Sequence, residues 1–313
     1  MRKCNVRYVS DRPLGVLCLG EALVDLICES PIADASAASS FVPHFGGAVA
    51  NVALLAAREG ARVSLAGGVG DDAWGSWLRE RLLGAGVGVS RFELLEGVRT
   101  PVALTTVDAS GEATYAVYGD SLGTVDRVFV DERSVVDAIG ACSALFLSSN
   151  TLVGDAEREV TMSVHAAALA MGKPVVFDPN LRLRRWSDPS EAIAAAADCV
   201  DGALLVRCNA LEARLITGAG DLERAAALLL EAGARNVVIS LGARGAMLRG
   251  VYEEDVAGVP ASVISTIGAG DAMTAMLIRR LAAGGFYEPV IAAALRDAVF
   301  AGAEACERWG AVD

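Results

Sequence analysis

Short apolar runs bounded by glycine or polar residues alternate along the 313-residue chain with longer stretches whose apolar positions recur at helical spacing. That alternation is the sequence mark of a mostly parallel sheet covered by helices. The runs L-G-V-L-C-L-G (14–20), V-S-L-A-G (63–67), A-L-F-L-S-S (144–149), P-V-V-F-D (174–178), A-L-L-V-R-C (203–208) and N-V-V-I-S-L (236–241) predict strands. Helices are predicted over about 47–59, 72–85, 155–171, 188–199, 209–217, 221–233, 269–284 and 288–308.

Two stretches break the alternation. Residues 22–28 with 40–45, and residues 101–118, read as antiparallel strands; P-V-A-L-T-T-V and A-T-Y-A-V-Y alternate with period two across the turn D-A-S-G-E. They lie too far apart to form one insert, so they are expected to meet in space as a small second sheet. Such a sheet over the end of a parallel sheet is a natural lid. A single domain over 1–313 is expected, with its lid at about 22–45 and 98–120, since no repeat or low-complexity linker divides the chain.

Composition narrows the picture. Hydrophobic residues make up 53% and aromatics only 5%, with 33 glycines, so packing must rest on aliphatic side chains and close backbone approach. This favours layered α/β structure over a sandwich. A net charge of −12 disfavours nucleic acid and anionic membranes as partners, although backbone amides and a bound cation can still hold a phosphate. Cys4, Cys18, Cys28, Cys142, Cys199, Cys208 and Cys306 are scattered and never spaced C-x-x-C. Cys18, Cys142 and Cys208 fall in apolar runs and read as small core residues in a reducing compartment. The start M-R-K-C-N-V-R lacks a signal-peptide core, and no run reaches membrane-spanning length, so a cytoplasmic protein is expected.

The chemistry begins at S-T-I-G-A-G-D-A-M (265–273), between the apolar run V-P-A-S-V-I and a helical pattern. Gly268 and Gly270 both weaken a first helical turn, so something other than helix stability accounts for them. At a strand-to-helix turn, the amides of Gly268, Ala269 and Gly270 would form an anion site, with Asp271 beside it. A carboxylate next to a phosphate is electrostatically awkward unless it takes a proton from an attacking hydroxyl.

Other stretches carry weaker signals. Gly46 and Gly47 open a helix that places Asn51 one turn inside, where glycine backbone and an amide side chain could meet neutral hydroxyls. F-D-P-N-L-R (177–182) sets Asp178, Asn180 and Arg182 at a strand's carboxyl edge, where open α/β sheets bind ligands. In R-C-N-A-L-E (207–212), Asn209 and Glu212 have capping-box spacing, and the same geometry could present Glu212 to hydrated Mg²⁺. S-L-G-A-R-G-A (240–246) places Ser240, Gly242 and Gly245 in an open turn between strands, against which a nucleotide could lie. A competing G-x-G-x-x-A in V-S-L-A-G-G-V-G-D-D-A, with Glu93 as its acid, is weakened because Asp71 and Asp72 would repel a pyrophosphate. His44 and His165 are expected at the surface or in the lid rather than as metal ligands, and R-R-W-S-D (184–188) as an exposed loop ending in a helix cap.

Together these residues resemble the ribokinase-like, or PfkB, family of carbohydrate kinases, from about Val16 to Ala311. G-G-A-V-A-N-V-A with G-G-V-G-D-D-A-W-G resembles its first signature and T-I-G-A-G-D-A-M its second, with F-D-P-N-L-R and N-A-L-E between them. The resemblance implies a three-layer fold with a β lid, and transfer of the γ-phosphoryl group from ATP, with Mg²⁺, to a sugar hydroxyl. It assigns Asp271 as base, Gly268 to Gly270 as anion hole, and Asp25, Gly46, Gly47 and Asn51 to the sugar. Asn209 and Glu212 match the Mg²⁺ and phosphate motif, and Ser240, Gly242 and Gly245 the nucleotide turn. Fructokinases are the nearest in motif; kinases of ribose, 2-keto-3-deoxygluconate or a nucleoside, and a sugar-binding sensor without catalysis, are the alternatives. Ser265 replaces an Asp that helps many members hold K⁺, which leaves a monovalent-cation requirement open, and Val299 stands where many place an Asn beside adenine. The chain ends at Asp313, short of the usual tail, and an exposed lid sheet suggests a homodimer.

Overall fold

The computed structural model describes residues 15–32, 35–119 and 122–312; Leu14, Cys4, the opening M-R-K-C-N-V-R, the last predicted lid residue at 120 and Asp313 lie outside the described residues. In chain order the strands are β1 (Val16–Leu19), β2 (Leu23–Ile27), β3 (Val42–Gly46), β4 (Val63–Gly70), β5 (Gly88–Leu95), β6 (Val102–Val107), β7 (Ala113–Tyr118), β8 (Ala144–Ser148), β9 (Val175–Asp178), β10 (Leu205–Asn209), β11 (Asn236–Ser240), β12 (Gly245–Gly250) and β13 (Glu254–Ala257). The helices are α1 (Ala48–Arg58), α2 (Ala73–Gly84), α3 (Val125–Val128), α4 (Glu132–Ala141), α5 (Asp155–Ala170), α6 (Pro189–Asp198), α7 (Ala210–Thr217), α8 (Leu222–Glu231), α9 (Ala269–Ala283) and α10 (Pro289–Ala305).

Among the described residues these strands form a nine-stranded sheet, ordered β13-β12-β11-β10-β9-β8-β1-β4-β5, and a four-stranded sheet, ordered β3-β2-β6-β7. The large sheet is parallel from β5 to β11, and β12 and β13 pair antiparallel at its edge. Its strands read as unbroken apolar runs because successive side chains enter two different cores. Val16, Cys18 and Phe146 pack with α1, α9 and α10 on one face. Leu17, Leu19, Leu145 and Leu147 pack with α4, α5 and α8 on the other. Phe146 and Leu147 are essentially fully buried, and each such side chain stabilises the fold by roughly 1.5–3 kcal/mol.

Several elements depart from the sequence-based expectation. The small sheet is not wholly antiparallel: β2–β3 and β6–β7 are antiparallel pairs, but β2 and β6 meet in parallel, Val24 opposite Val102. The chain passes through α1, β4, α2 and β5 of the main layer before returning to the small sheet, which it re-enters in the direction of β2. The run V-P-A-S-V-I forms no strand; residues 258–268 are irregular, and Val263 and Ile264 are exposed. His165 is buried within α5 rather than at the surface or in the small sheet, whereas His44 lies on β3 with Nε2 2.8 Å from Glu29 Oε1. Within R-R-W-S-D, Trp186 is buried with the Arg158 guanidinium 5.1 Å from its ring, while Asp188 caps α6 by accepting from Ser190 N–H. The six described cysteines are free thiols.

Candidate active site

The weak helix start at 268–271 has a packing explanation that side-chain chemistry alone does not suggest. Gly268 is the N-cap of α9 in the left-handed region, φ 76°, and a Cβ there would lie 2.4 Å from Ala311 Cβ. A Cβ on Gly270 would lie 2.8 Å from Nη1 of Arg207. The loop ahead of the helix is tied to the small sheet: the amide and hydroxyl of Thr266 both donate to Gly111 O, at 2.8 and 3.0 Å, in the β6–β7 turn. The Ala269 amide donates to Thr266 O at 3.3 Å, while Gly268, Ala269 and Gly270 all line the cavity below.

Asp271 sits in the first turn of α9, and Nδ2 of Asn51 donates to its Oδ2 at 2.8 Å across 220 residues of sequence. Burial, opposed by that hydrogen bond, pushes the Asp271 carboxyl up to about 6, with Asp178 raising it further. Asp25 on β2 is buried too; desolvation, with the Asp271 charge behind it, pushes its carboxyl up to about 7. A Cβ on Gly46 would collide with Asp25 Oδ2 at 2.3 Å, so this glycine makes room for the acid rather than lining the cavity.

A cavity of about 1120 Å³ joins these groups. Asp25, Gly47 and Asn51 line its end beneath the small sheet, together with Asn180 and Arg182 from the loop after β9. Asn180 is held at φ 43°, an unusual conformation for a residue with a side chain, and Arg182 stacks 5.3 Å over Tyr115 of β7. Gly268, Ala269, Gly270 and Asp271 form the middle. Ser240, Gly242 and Gly245 of the β11–β12 turn line the cavity too, as do Val299 and Gly302 of α10. Asn209 and Glu212 line it as well, as a complete capping box: Asn209 Oδ1 accepts from the amides of Leu211 and Glu212, and Glu212 Oε2 from that of Asn209. Glu212 Oε1 accepts from Leu181 N–H at 2.9 Å, which ties α7 to the loop carrying Asn180 and Arg182. Burial, with Asp178 behind it, raises the Glu212 carboxyl above the usual range.

The G-x-G-x-x-A stretch lies elsewhere. Asp72 caps α2 by accepting from Gly75 N–H at 2.9 Å, and it also accepts from the Thr100 amide and hydroxyl, so a carboxylate already occupies that helix start.

Comparison with known proteins places the chain in a family. Residues 14–313 match the pfkB family carbohydrate kinase profile. The chain belongs to the pfkB family of carbohydrate kinases. Fructokinase-2 of Solanum habrochaites is 26% identical over 268 residues, covering 85% of this chain and 81% of that one. A double mutant of Vibrio cholerae O395 fructokinase, in a structure holding fructose, ADP and a potassium ion, superposes with TM-score 0.82 at 28% identity, covering 97% of this chain and 96% of its own. The aminoimidazole riboside kinase of Salmonella enterica, complexed with its riboside and an ATP analog, matches with TM-score 0.80 at 27% identity over 95% of both chains.

This pfkB sugar kinase also gathers residues at its cavity that sequence reasoning passed over: Glu21, Asn150, Arg185 and Arg207. Arg207, the middle residue of β10, is 5% exposed; Nη1 donates to Asp178 Oδ2 at 3.2 Å and Nη2 to Ser240 Oγ at 3.1 Å. Thr274 of α9 donates to the same Asp178 oxygen at 2.7 Å. A buried arginine in a strand is a signal in itself, since such a charge requires a partner brought from elsewhere in the fold. Glu21 and Asp25 stand four apart in G-E-A-L-V-D, and only Asp25 was singled out. Among the described residues no group of three or more His, Cys, Asp or Glu is arranged to hold a metal. Glu212, which lines the cavity, suits a divalent ion carried mainly by phosphate oxygens and water, whereas Asp178 lies behind the lining, paired with Arg207 and Thr274. The fructokinase of Vibrio cholerae O395, 28% identical with TM-score 0.81, has also been solved with fructose, ADP and a calcium ion. Among the described residues no helix is long and apolar enough to cross a membrane.

Proposed function

We propose that this chain is an ATP-dependent fructokinase of the cytoplasm, with Asp271 as the base that takes the proton of the attacking sugar hydroxyl. One observation carries the polyhydroxylated acceptor: Asn51 Oδ1 and Asn180 Oδ1 are buried without a partner among the described residues, and both residues line the cavity beside Asp271. Buried acceptor oxygens call for O–H donors, which a sugar brings and an apolar ligand does not. Asp25 and the Gly47 backbone add to the same end. Fructose is the favoured sugar because the relatives named fructokinase match over most of the chain.

Further along the cavity, the backbone at the α9 start from Gly268 to Gly270, where the Ala269 amide exchanges Thr266 O for a phosphate oxygen, receives the transferring phosphoryl group, and the open turn of Ser240, Gly242 and Gly245 takes the nucleotide. Mg²⁺, placed near Glu212 through water, supplies charge neutralisation at the phosphates when bound. Asp271 is ionised at neutral pH and free to accept a proton. The small sheet acts as the lid, and the Thr266–Gly111 hydrogen bonds couple its hairpin to the anion loop, so that closure excludes water from the phosphoryl site. Ser265 is fully buried and its hydroxyl accepts from Ile267 N–H at 3.1 Å, so turnover without K⁺ belongs to this reading. Two copies pair through their lids, whose Val42 and Tyr118 are exposed on the outer strands.

ADP release measured with fructose, ribose, 2-keto-3-deoxygluconate and a nucleoside, each with and without K⁺, tests this. Fructose is expected to give the highest kcat/KM. Higher efficiency with another acceptor overturns the choice of sugar, and absence of ADP with all of them overturns the kinase reading in favour of a sensor.

A further inference from the structure

We infer that Glu21 is a further specificity residue, whose Oε2 receives a hydroxyl of the acceptor sugar other than the one being phosphorylated. Glu21 lies in the link between β1 and β2, 1% exposed, at the point where the large sheet, the small sheet and the start of α1 converge. Its two hydrogen bonds of normal length fall on one oxygen: Oε1 accepts from Ala48 N–H at 2.8 Å and from Asn150 Nδ2 at 2.9 Å. Burial raises the Glu21 carboxyl, opposed by its own amide, the Arg185 charge, Asn150 and the Val49 amide. Capping α1, whose N-cap Gly47 has no side chain to do so, accounts for Oε1 completely. It leaves Oε2 unexplained, for this atom is buried without a partner among the described residues while its residue lines the cavity.

A buried carboxylate oxygen without a donor is costly, and native folds keep such groups where a ligand or water completes them. The position suits a sugar. Ala48, which holds Glu21, and Asn51, which holds Asp271, are neighbours on α1 separated by roughly one helical turn, about 5 Å along the axis. A pentose or hexose with its reacting hydroxyl at Asp271 therefore reaches Glu21 with another part of its ring or chain. The Arg185 guanidinium does not complete Oε2; its Nη1 donates to Asn150 O at 3.1 Å. The group required at this end is an O–H donor. A deoxy carbon leaves Oε2 unpaired, so an acceptor with a hydroxyl at this position is selected over its deoxy analogue.

The inference rests on the sugar-kinase reading and is tested by Glu21→Gln, which keeps an oxygen for Ala48 and Asn150 but turns the second atom into a donor. The acceptor KM is expected to rise roughly 10- to 100-fold, the loss of one charge-assisted hydrogen bond, with the KM for ATP within about twofold and the thermal midpoint not lowered. Monodeoxy analogues of the best acceptor probe the same contact in the unmodified enzyme. One of them, other than at the reacting position, is expected to lose a similar factor, and to lose no more when assayed with E21Q. An unchanged acceptor KM in folded E21Q, or equal use of every monodeoxy analogue by the unmodified enzyme, overturns the inference while leaving the kinase reading intact. Failure of the unmodified enzyme to turn over any sugar overturns both.

Discussion

The two ends of the cavity differ in the groups they offer. Around the start of α9 lie the backbone of a glycine-bearing turn and the Arg207 guanidinium packed against Gly270. Beneath the small sheet, beside the Arg182 guanidinium, lie buried acceptors: Asp25 and the oxygens Asn51 Oδ1 and Asn180 Oδ1, without a partner among the described residues. A donor array in a buried site fits an anion rich in oxygen, and an acceptor array fits a ligand rich in hydroxyls. Asp271 belongs to both, being in the first turn of the helix and bonded to Asn51. On the proposed reading, the difference teaches that one acidic protein would take a phosphate at one end and a neutral polyol at the other, because local groups, not the net charge of −12, decide what binds.

The largest effect is expected where the two ends meet. Asp271→Asn keeps an oxygen for Asn51 but cannot take a proton, so kcat falls on the order of 10²–10⁴-fold while the circular dichroism spectrum is retained. In the unmodified enzyme kcat should decline as pH is lowered through about 6, where Asp271 becomes protonated. A pH profile flat through that region would place the base elsewhere.

At the donor end, Arg207→Met removes the ion-pair partner of Asp178, itself 3% exposed, and is expected to cost about 3–5 kcal/mol in urea unfolding. A loss below about 1 kcal/mol would mean that Asp178 is held by Thr274 alone.

The smallest effect is expected from Asp25→Asn at the acceptor end. Its folded carboxyl lies near 7, above the usual 3.8, so ionisation is disfavoured in the native state and stability is lost as pH rises through that interval. The variant should therefore melt a few degrees higher at pH 8, an advantage that vanishes below about pH 4, while its acceptor KM increases. A lower melting point at pH 8 would show that the charge at Asp25 is compensated in the native state.

Most of the parallel sheet was legible because buried strands must be apolar on both sides. β5 was not, since a register shift between Ser64 and Ala66 of its partner breaks the period: Val89 and Phe92, three apart, are both buried. Helix α4 was hidden because its capping box uses Ser134 where Glu or Gln is the usual sign. In the candidate site, the glycines and acid at 268–271 and the turn at 240–245 stood out in the sequence by their spacing, and Asp25 through the family resemblance; all of them have residues that line the cavity. Glu21 and Arg207 were not, because their significance lies in which atoms remain unpaired and which surfaces touch.

By itself the sequence determined the alternation of strands and helices, the glycine-rich start of α9 with its acid, and the family to which these motifs belong. Local periodicity and turn chemistry are properties of neighbouring residues, and a chain carries them openly. Tertiary structure decided the rest: the parallel seam between β2 and β6, the pairing of Asn51 with Asp271, and the two glycines' need to be glycine. Gly268 faces Ala311, and Gly270 faces Arg207. Such contacts join residues tens to hundreds of positions apart, and no local pattern records them; they exist only once the chain has closed around its cavity.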